Sequence, residues 1–93
     1  MIVKVKFHLI RINTVASKLE IVFPYGEKWY RMDWENVPDK YKTLYTAYIK
    51  MLGREVPDYL KDYEKTTIEL DNLEIELELD LAEEVPPTYP LGV

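Results

Sequence analysis

The sequence predicts an α+β fold: an antiparallel or mixed sheet of about five strands, built from a three-strand meander and a C-terminal hairpin, with one long and one short helix packed on one face. Several segments alternate apolar and polar residues, as strands with one buried face do. One longer segment repeats apolar residues at helical spacing instead. Because the chain has 93 residues, we expect one domain over residues 1–84 and a proline-rich tail over residues 85–93.

The first strand is predicted over residues 2–12. In its first half, apolar residues alternate with Lys4, Lys6 and His8, which is the pattern of a half-buried strand. Ile10 and Ile12 break the alternation. This end of the strand is therefore expected to be covered on both faces or bulged.

The second and third strands, over residues 18–23 and 28–34, are predicted to form a hairpin. With Tyr25-Gly26 as a two-residue loop, one face collects apolar pairs, and the other collects opposite charges beside a valine–tryptophan pair. This agreement between the loop and the pattern favours one register. The predicted pairs are Pro24–Glu27, Val22–Trp29, Ile21–Tyr30, Glu20–Arg31, Leu19–Met32 and Lys18–Asp33.

The long helix is predicted over residues 38–52, with Asn36 as its N-cap and Gly53 as its stop. A second Val-Pro-Asp sequence begins a shorter helix, predicted over residues 58–65. Both helices carry apolar and tyrosine side chains at helical spacing, which indicates core packing rather than a cofactor site. The residues expected to face inward are Tyr41, Leu44, Tyr45, Tyr48, Leu52, Tyr59, Leu60 and Tyr63.

A terminal hairpin is predicted from strands over residues 66–70 and 73–81, with Asp71-Asn72 as the loop. The last strand alternates apolar residues with acidic ones and needs a neighbour in the sheet. The first strand, with its two lysines, is the electrostatically suitable partner. The acidic face of this hairpin comprises Glu69, Glu74, Glu76, Glu78 and Asp80.

Charge is divided unevenly along the chain. Residues 1–54 carry ten basic and five acidic residues, whereas residues 55–93 carry two basic and twelve acidic ones. The net charge of −5 argues against a general nucleic-acid binder. The absence of cysteine excludes disulfides and thiolate chemistry and favours a cytoplasmic location. No apolar run approaches a membrane span, and the Lys- and Glu-rich composition is typical of thermophile proteins.

The acidic face has three interpretations. Matched to Lys4 and Lys6, it is a solvated surface, which is the interpretation we favour. Carboxylates at this spacing also bind divalent cations or take part in acid–base catalysis. A row of carboxylates also imitates a phosphate backbone and attracts a basic protein partner.

No catalytic constellation emerges from the sequence. His8 is the single histidine, and Ser17, the single serine, is expected at the far end of the hairpin. A catalytic histidine needs a partner within hydrogen-bond reach, and a zinc site needs more ligands than one histidine. The sequence therefore predicts a protein without enzymatic activity, bound metal or cofactor.

The outward face of the sheet is the main candidate for binding. Trp29 is expected to face outward among apolar neighbours, which is typical of an interaction surface. We expect a homodimer or another protein partner there, although the proline-rich tail can also cover this face. The alternative is single-stranded nucleic acid, stacked on Trp29 with lysine and arginine on its phosphates. The candidate binding residues are Trp29, Val22, His8, Arg31 and Lys6.

The tail contains Pro86-Pro87-Thr88-Tyr89. Taken alone, these four residues resemble the Pro-Pro-x-Tyr ligand that WW domains bind as a polyproline II segment. The simpler interpretation is a stiff terminal arm, either free or packed on its own fold or on a second copy. Taken together, the sequence predicts a small interaction protein that self-associates and binds a partner through the outer sheet face or the acidic C-terminal strand.

Overall fold

The computed structural model describes residues 1–64 and 73–91, and within them the predicted α+β class is confirmed. Short 3₁₀ segments connect many of the regular elements, at Phe7–Leu9, Val15–Ser17, Trp34–Asn36, Asp58–Tyr63 and Leu79–Leu81. The strands and the helix are β1 (Ile2–Lys6), β2 (Arg11–Asn13), β3 (Glu20–Tyr25), β4 (Lys28–Asp33), α1 (Asp39–Met51), β5 (Glu74–Glu78) and β6 (Ala82–Val85).

The strands form two antiparallel sheets rather than the single sheet expected. β1 pairs with β5, and the second sheet has the order β2-β3-β4-β6. The sheet divides because Phe7–Leu9 and Leu79–Leu81 interrupt the first and last predicted strands. The Ile10 amide donates to the Phe7 carbonyl at 3.1 Å, which closes the first break. At each break the chain leaves the two-stranded sheet and enters the four-stranded one.

The β3–β4 hairpin forms with its loop one residue later than predicted. The loop is Gly26-Glu27, and Gly26 has a φ of +63°. Types I′ and II′ require a positive φ at this first loop position, and glycine adopts it without steric cost. Each cross-strand partner therefore shifts by two positions, so that Val22 lies opposite Arg31 instead of Trp29. Because side chains alternate along a strand, every residue keeps its predicted face.

Helix α1 begins at a proline rather than at the predicted cap. Asn36 belongs to the preceding 3₁₀ segment, and Pro38 occupies the N-cap position. The predicted stop is confirmed, since Gly53 has a φ of +71°. Its amide donates to the Lys50 carbonyl at 3.0 Å, and the next amide donates to the Ile49 carbonyl at 3.0 Å. This pair of bonds is a Schellman motif.

The buried face of α1 differs from the predicted stripe. Tyr48 and Leu52 are 47% and 49% exposed, whereas Ile49 is buried. The reason is that α1 packs against the sheets on one side and against Asp58–Tyr63 on another. That segment replaces the predicted short helix and buries Leu60. The buried residues of α1 are Tyr41, Lys42, Leu44, Thr46 and Ile49.

The predicted pairing of the first strand with the acidic strand is confirmed. Lys4 lies opposite Glu76, and Lys6 lies opposite Glu74. The predicted strand over residues 66–70, the Asp71-Asn72 loop and Glu69 lie outside the described residues.

The core lies between the two sheets and α1. It includes buried residues from β1, β3, β4, β5 and the helix, packed around Tyr41 and Phe23. In the ranges that the structure describes, no helix is long and apolar enough to cross a membrane. The buried core residues are Val3, Val5, Ile10, Ile21, Phe23, Met32, Val37, Tyr41, Leu44, Ile75 and Leu77.

Candidate interaction surfaces

The outer face of the four-stranded sheet is the side opposite the core. Ile21 and Met32 point into the core, so their neighbours Glu20, Val22 and Arg31 point outward. The outer face is not open to solvent, because Glu20 is only 1% exposed and Val22 only 2%. Something in the chain therefore covers it.

The cover is the strap, which we define as residues 86–91. It follows β6 at one edge of the sheet and begins with a turn, in which the Tyr89 amide donates to the Pro86 carbonyl at 2.9 Å. The Tyr89 hydroxyl then donates to Glu20 Oε2 on β3 at 2.6 Å. Asn13 Nδ2, on the opposite edge strand, donates to the Pro90 carbonyl at 3.2 Å. The strap therefore crosses the sheet from one edge to the other.

Glu20 is the centre of the polar contacts under the strap. Besides Tyr89, its carboxylate accepts hydrogen bonds from Arg31 Nε at 2.7 Å and from Asn13 Nδ2 at 2.9 Å. Burial raises the pKa of a carboxylate, and here the three donors outweigh it and lower the pKa of Glu20 below its ordinary value of 4.5. The side chain is therefore held as a buried carboxylate.

Arg31 joins this cluster to the edge of the sheet. Its guanidinium is 13% exposed and pairs with Glu20, with Asp33 and, at 3.3 Å, with Glu83 on β6. Three carboxylates surround one cation, and the pKa of Arg31 is raised chiefly by the hydrogen bond to Glu20. The guanidinium is thus engaged within the fold, whereas the alternative nucleic-acid prediction placed it on phosphate.

A small gap remains between the strap and the sheet. It has a volume of about 140 Å³ beside Val22 and Trp29. Trp29 is half-buried and lies opposite Val85, where β6 ends. The strap residues that line the gap are Pro86, Pro87, Tyr89 and Leu91.

The five predicted binding residues do not form one site. Val22, Trp29 and Arg31 share the outer face, but Lys6 lies on β1 in the other sheet and His8 lies in a 3₁₀ segment. They separate because Phe7–Leu9 breaks the first predicted strand. The set Trp29, Lys6 and Arg31, on which nucleic-acid binding was considered, is therefore not brought together.

The carboxylates of the acidic strand face positive charges of the same chain. Glu74 and Glu76 lie opposite lysines of β1, and the Met1 amino group donates to Glu78 at 2.7 Å and to Asp80 at 3.0 Å. Those two hydrogen bonds raise the pKa of the Met1 amino group. Much of this acidic face is thus offset by its own neighbours.

A second surface, the helix groove, lies between Phe7–Leu9 and α1. It is partly open to solvent and has a volume of about 380 Å³, within the size range of ligand pockets. Phe7 is its aromatic centre, with ring centroids 5.4 Å from Tyr41, 6.4 Å from Tyr45 and 6.1 Å from Tyr48. The lining residues are Phe7, His8, Ile10, Leu44, Tyr45, Tyr48, Met51 and Leu73.

The rim of the helix groove is unusually apolar for a surface. Met51 is 75% exposed, and Tyr48 and Leu73 are each 47% exposed. Among the described residues that line the groove, none is aspartate, glutamate, lysine or arginine, and His8 is the single basic side chain. Exposed apolar clusters of this kind mark surfaces that bind other molecules.

Sequence reasoning missed Asn13 and Glu20 on the outer face and most of the helix groove. The signal for Glu20 was its position between Leu19 and Ile21, opposite Arg31 in the predicted register. The signal for the groove was Met51, a large apolar residue in the last turn of the helix that continues the spacing of Leu44 and Tyr48.

Within residues 1–64 and 73–91, no group of three or more histidine, aspartate or glutamate side chains is arranged to hold a metal ion. Comparison of the chain with protein-family models, with curated proteins and with solved structures finds no match.

Proposed function

We propose that this chain is a non-enzymatic interaction protein that forms a homodimer through the helix groove. The single observation that supports this most is the exposure of Tyr48, Met51 and Leu73 around one apolar groove. Burying such side chains against a partner removes apolar surface from water, which is the main favourable term in protein association. A cytoplasmic location is part of the proposal, supported by the absence of cysteine.

The occupant of the groove in this proposal is a second copy of the chain, which the uncharged lining permits despite the net charge. Two identical copies each carry a net charge of −5, so most orientations place like charges against each other. The helix groove avoids this, because no lining residue in the part of the chain that the structure describes is aspartate, glutamate, lysine or arginine. A two-fold axis also presents the same patch on both copies.

The shape of the groove supports the same choice. Met51 protrudes from the last turn of α1, beside a recess lined by Phe7, Ile10 and Leu44. Methionine is flexible and fills irregular apolar gaps. In a symmetric dimer, Met51 of each copy enters the recess of the other.

Light scattering coupled to size-exclusion chromatography tests the proposal. The unchanged chain is expected at twice the mass of one chain. Met51→Lys introduces a charge into the contact and is expected to weaken association at least about tenfold. Leu81→Lys is the matched control, because Leu81 is 50% exposed and does not line the groove. A monomer at all concentrations, or equal effects of the two variants, contradicts the proposal.

A further inference from the structure

The strap shows what kind of segment fits the outer face. It is a short stretch of chain after β6 that contacts three other strands: Glu20 on β3, Asn13 on β2 and the Trp29 region on β4. Its polar anchors are a tyrosine hydroxyl and the backbone carbonyl of the next residue. A carbonyl is available in any peptide, so the side-chain requirement of these anchors is a single tyrosine.

The receptor for these anchors is built into the sheet. Glu20 and Asn13 are 1% and 2% exposed, and Arg31 holds the second oxygen of the Glu20 carboxylate. A buried carboxylate needs its hydrogen-bond donors, and an incoming tyrosine hydroxyl supplies one of them. Two of these hydrogen bonds, from Asn13 and from Arg31 to Glu20, join residues of the sheet itself and do not involve the strap.

The strap does not fill its own site. The gap beside Trp29 is partly open to solvent and has a volume of about 140 Å³, which is of the order of the volume that one aromatic ring fills. A segment with the same anchors and an added aromatic ring there gains contacts that the strap lacks.

We propose that the outer face is a docking site for an extended, tyrosine-containing segment of another protein, which carries an aromatic side chain beside Trp29 and displaces the strap. A second copy's strap is not the favoured occupant, because it leaves the same gap. The chain's own strap also has the advantage of high effective concentration, and Pro87 favours its turn. This surface is separate from the helix groove.

The test uses full-length chain and two seven-residue peptides. One peptide has the sequence of residues 85–91, and the other carries Leu91→Phe. Nuclear magnetic resonance titration of a Tyr89→Ala chain is expected to give saturable shifts at Val22, Trp29 and Arg31. The Leu91→Phe peptide is expected to bind at least about fivefold tighter than the parent peptide. The unchanged chain is expected to bind both peptides at least about tenfold more weakly, since its strap competes.

Two controls make the result specific. Met51→Lys, added to the Tyr89→Ala chain, changes the helix groove and is expected to leave peptide binding unchanged. Trp29→Ala, added in the same way, is expected to remove the preference for the Leu91→Phe peptide. If Tyr89→Ala does not fold, Tyr89→Phe takes its place, since it removes only the hydroxyl. The proposal is overturned if the peptides cause no chemical-shift changes, or if the Tyr89→Ala chain and the unchanged chain bind them with equal affinity. It is also overturned if the shift changes map to the helix groove.

Discussion

At the scale of single residues, Glu20 determines how the outer face is covered. One buried carboxylate accepts hydrogen bonds from two strands and from the strap. A buried charge is tolerated when its partners are present, whereas removing one partner leaves the other buried and unpaired, which lowers the free energy of unfolding. The position of the strap therefore depends on the ionisation of one side chain, that of Glu20.

Glu20→Gln is expected to lower the free energy of unfolding by about 2 kcal/mol, because Arg31 and Tyr89 lose a charged acceptor in a buried site. Urea denaturation measures the change. Glu84→Gln is the control, since Glu84 pairs with Lys28 at 3.4 Å on the surface, where ion pairs contribute little. Equal losses in the two variants would argue against a special role for the buried carboxylate.

The pKa of Glu20 gives a pH dependence with a definite sign. Folding lowers this pKa below its ordinary value of 4.5. The contribution of Glu20 to stability is therefore present above pH 4.5 and is lost as the pH falls below that value. Urea midpoints measured between about pH 3 and pH 7 are expected to fall more steeply for the unchanged chain than for Glu20→Gln. Parallel curves would contradict this assignment.

Tyr89 gives a second pH dependence, in the alkaline range. Burial and the hydrogen bond to Glu20 raise its pKa above the ordinary value of 10.0. The contact is present below pH 10 and is lost as the pH rises through the raised value. Tryptophan fluorescence is expected to report release of the strap under alkaline conditions, because Trp29 lies beside it, and Tyr89→Phe is expected to lack this transition. An identical transition in Tyr89→Phe would assign it to another tyrosine.

At the scale of elements, Lys42 joins α1 to the segment that packs beside it. Its ammonium nitrogen lies 4.8 Å from the centroid of the Trp34 ring and 5.3 Å from that of Tyr63. The side chain is 6% exposed, so these cation–π contacts are shielded from water. This explains why a lysine occupies the buried face of the helix.

Lys42→Met keeps the apolar stem and removes the charge, and it is expected to destabilise the fold by about 1 kcal/mol. Lys50→Met is the control on the same helix, because Lys50 pairs with Glu64 at the surface and its loss is expected to cost no more than about 0.5 kcal/mol. Thermal unfolding of both variants measures the difference. A larger effect at Lys50 would contradict the cation–π assignment.

The elements also show what the sequence can and cannot predict. Alternation along β3 and β4 predicted the face of every residue. The reason is that the face of a side chain depends only on whether its position along the strand is odd or even. It did not predict the register, which depends on where Gly26 adopts a positive φ. The interruption at Phe7–Leu9 was indicated in the sequence by Ile10, which breaks the alternation. Its result, two sheets instead of one, depends on long-range pairing that no local pattern contains.

The candidate sites show the same division. Trp29 and Val22 were predicted to share the outer face, and they do. The burial of Glu20 could not be predicted, since it depends on a strap that returns from the far end of the chain. The helix groove likewise depends on the angle between α1 and Phe7–Leu9, which hydrophobic spacing does not specify.

At the scale of the whole molecule, net charge and apolar surface act in opposite directions. Each copy carries a net charge of −5, which disfavours association, whereas the helix groove favours it. Added salt screens the charge and leaves apolar burial intact. The homodimer is therefore expected to strengthen as ionic strength rises from about 0.05 M to about 0.5 M. Sedimentation equilibrium measures this, and dissociation by salt would indicate a charged interface instead.

The pairing of β1 with β5 also bears on how the chain is made. Val3 pairs with Leu77, so β1 is synthesised long before its partner exists. At roughly 5–20 residues per second, the wait lasts about 4–15 seconds. During that time the residues of β1 have no partner strand, and Val3 and Val5, which the fold buries, are not yet covered by β5. Lys4 and Lys6 place charges on the other side of β1, and such charges oppose mispairing. The same two lysines that later face the acidic strand therefore protect the nascent chain before that strand has been translated.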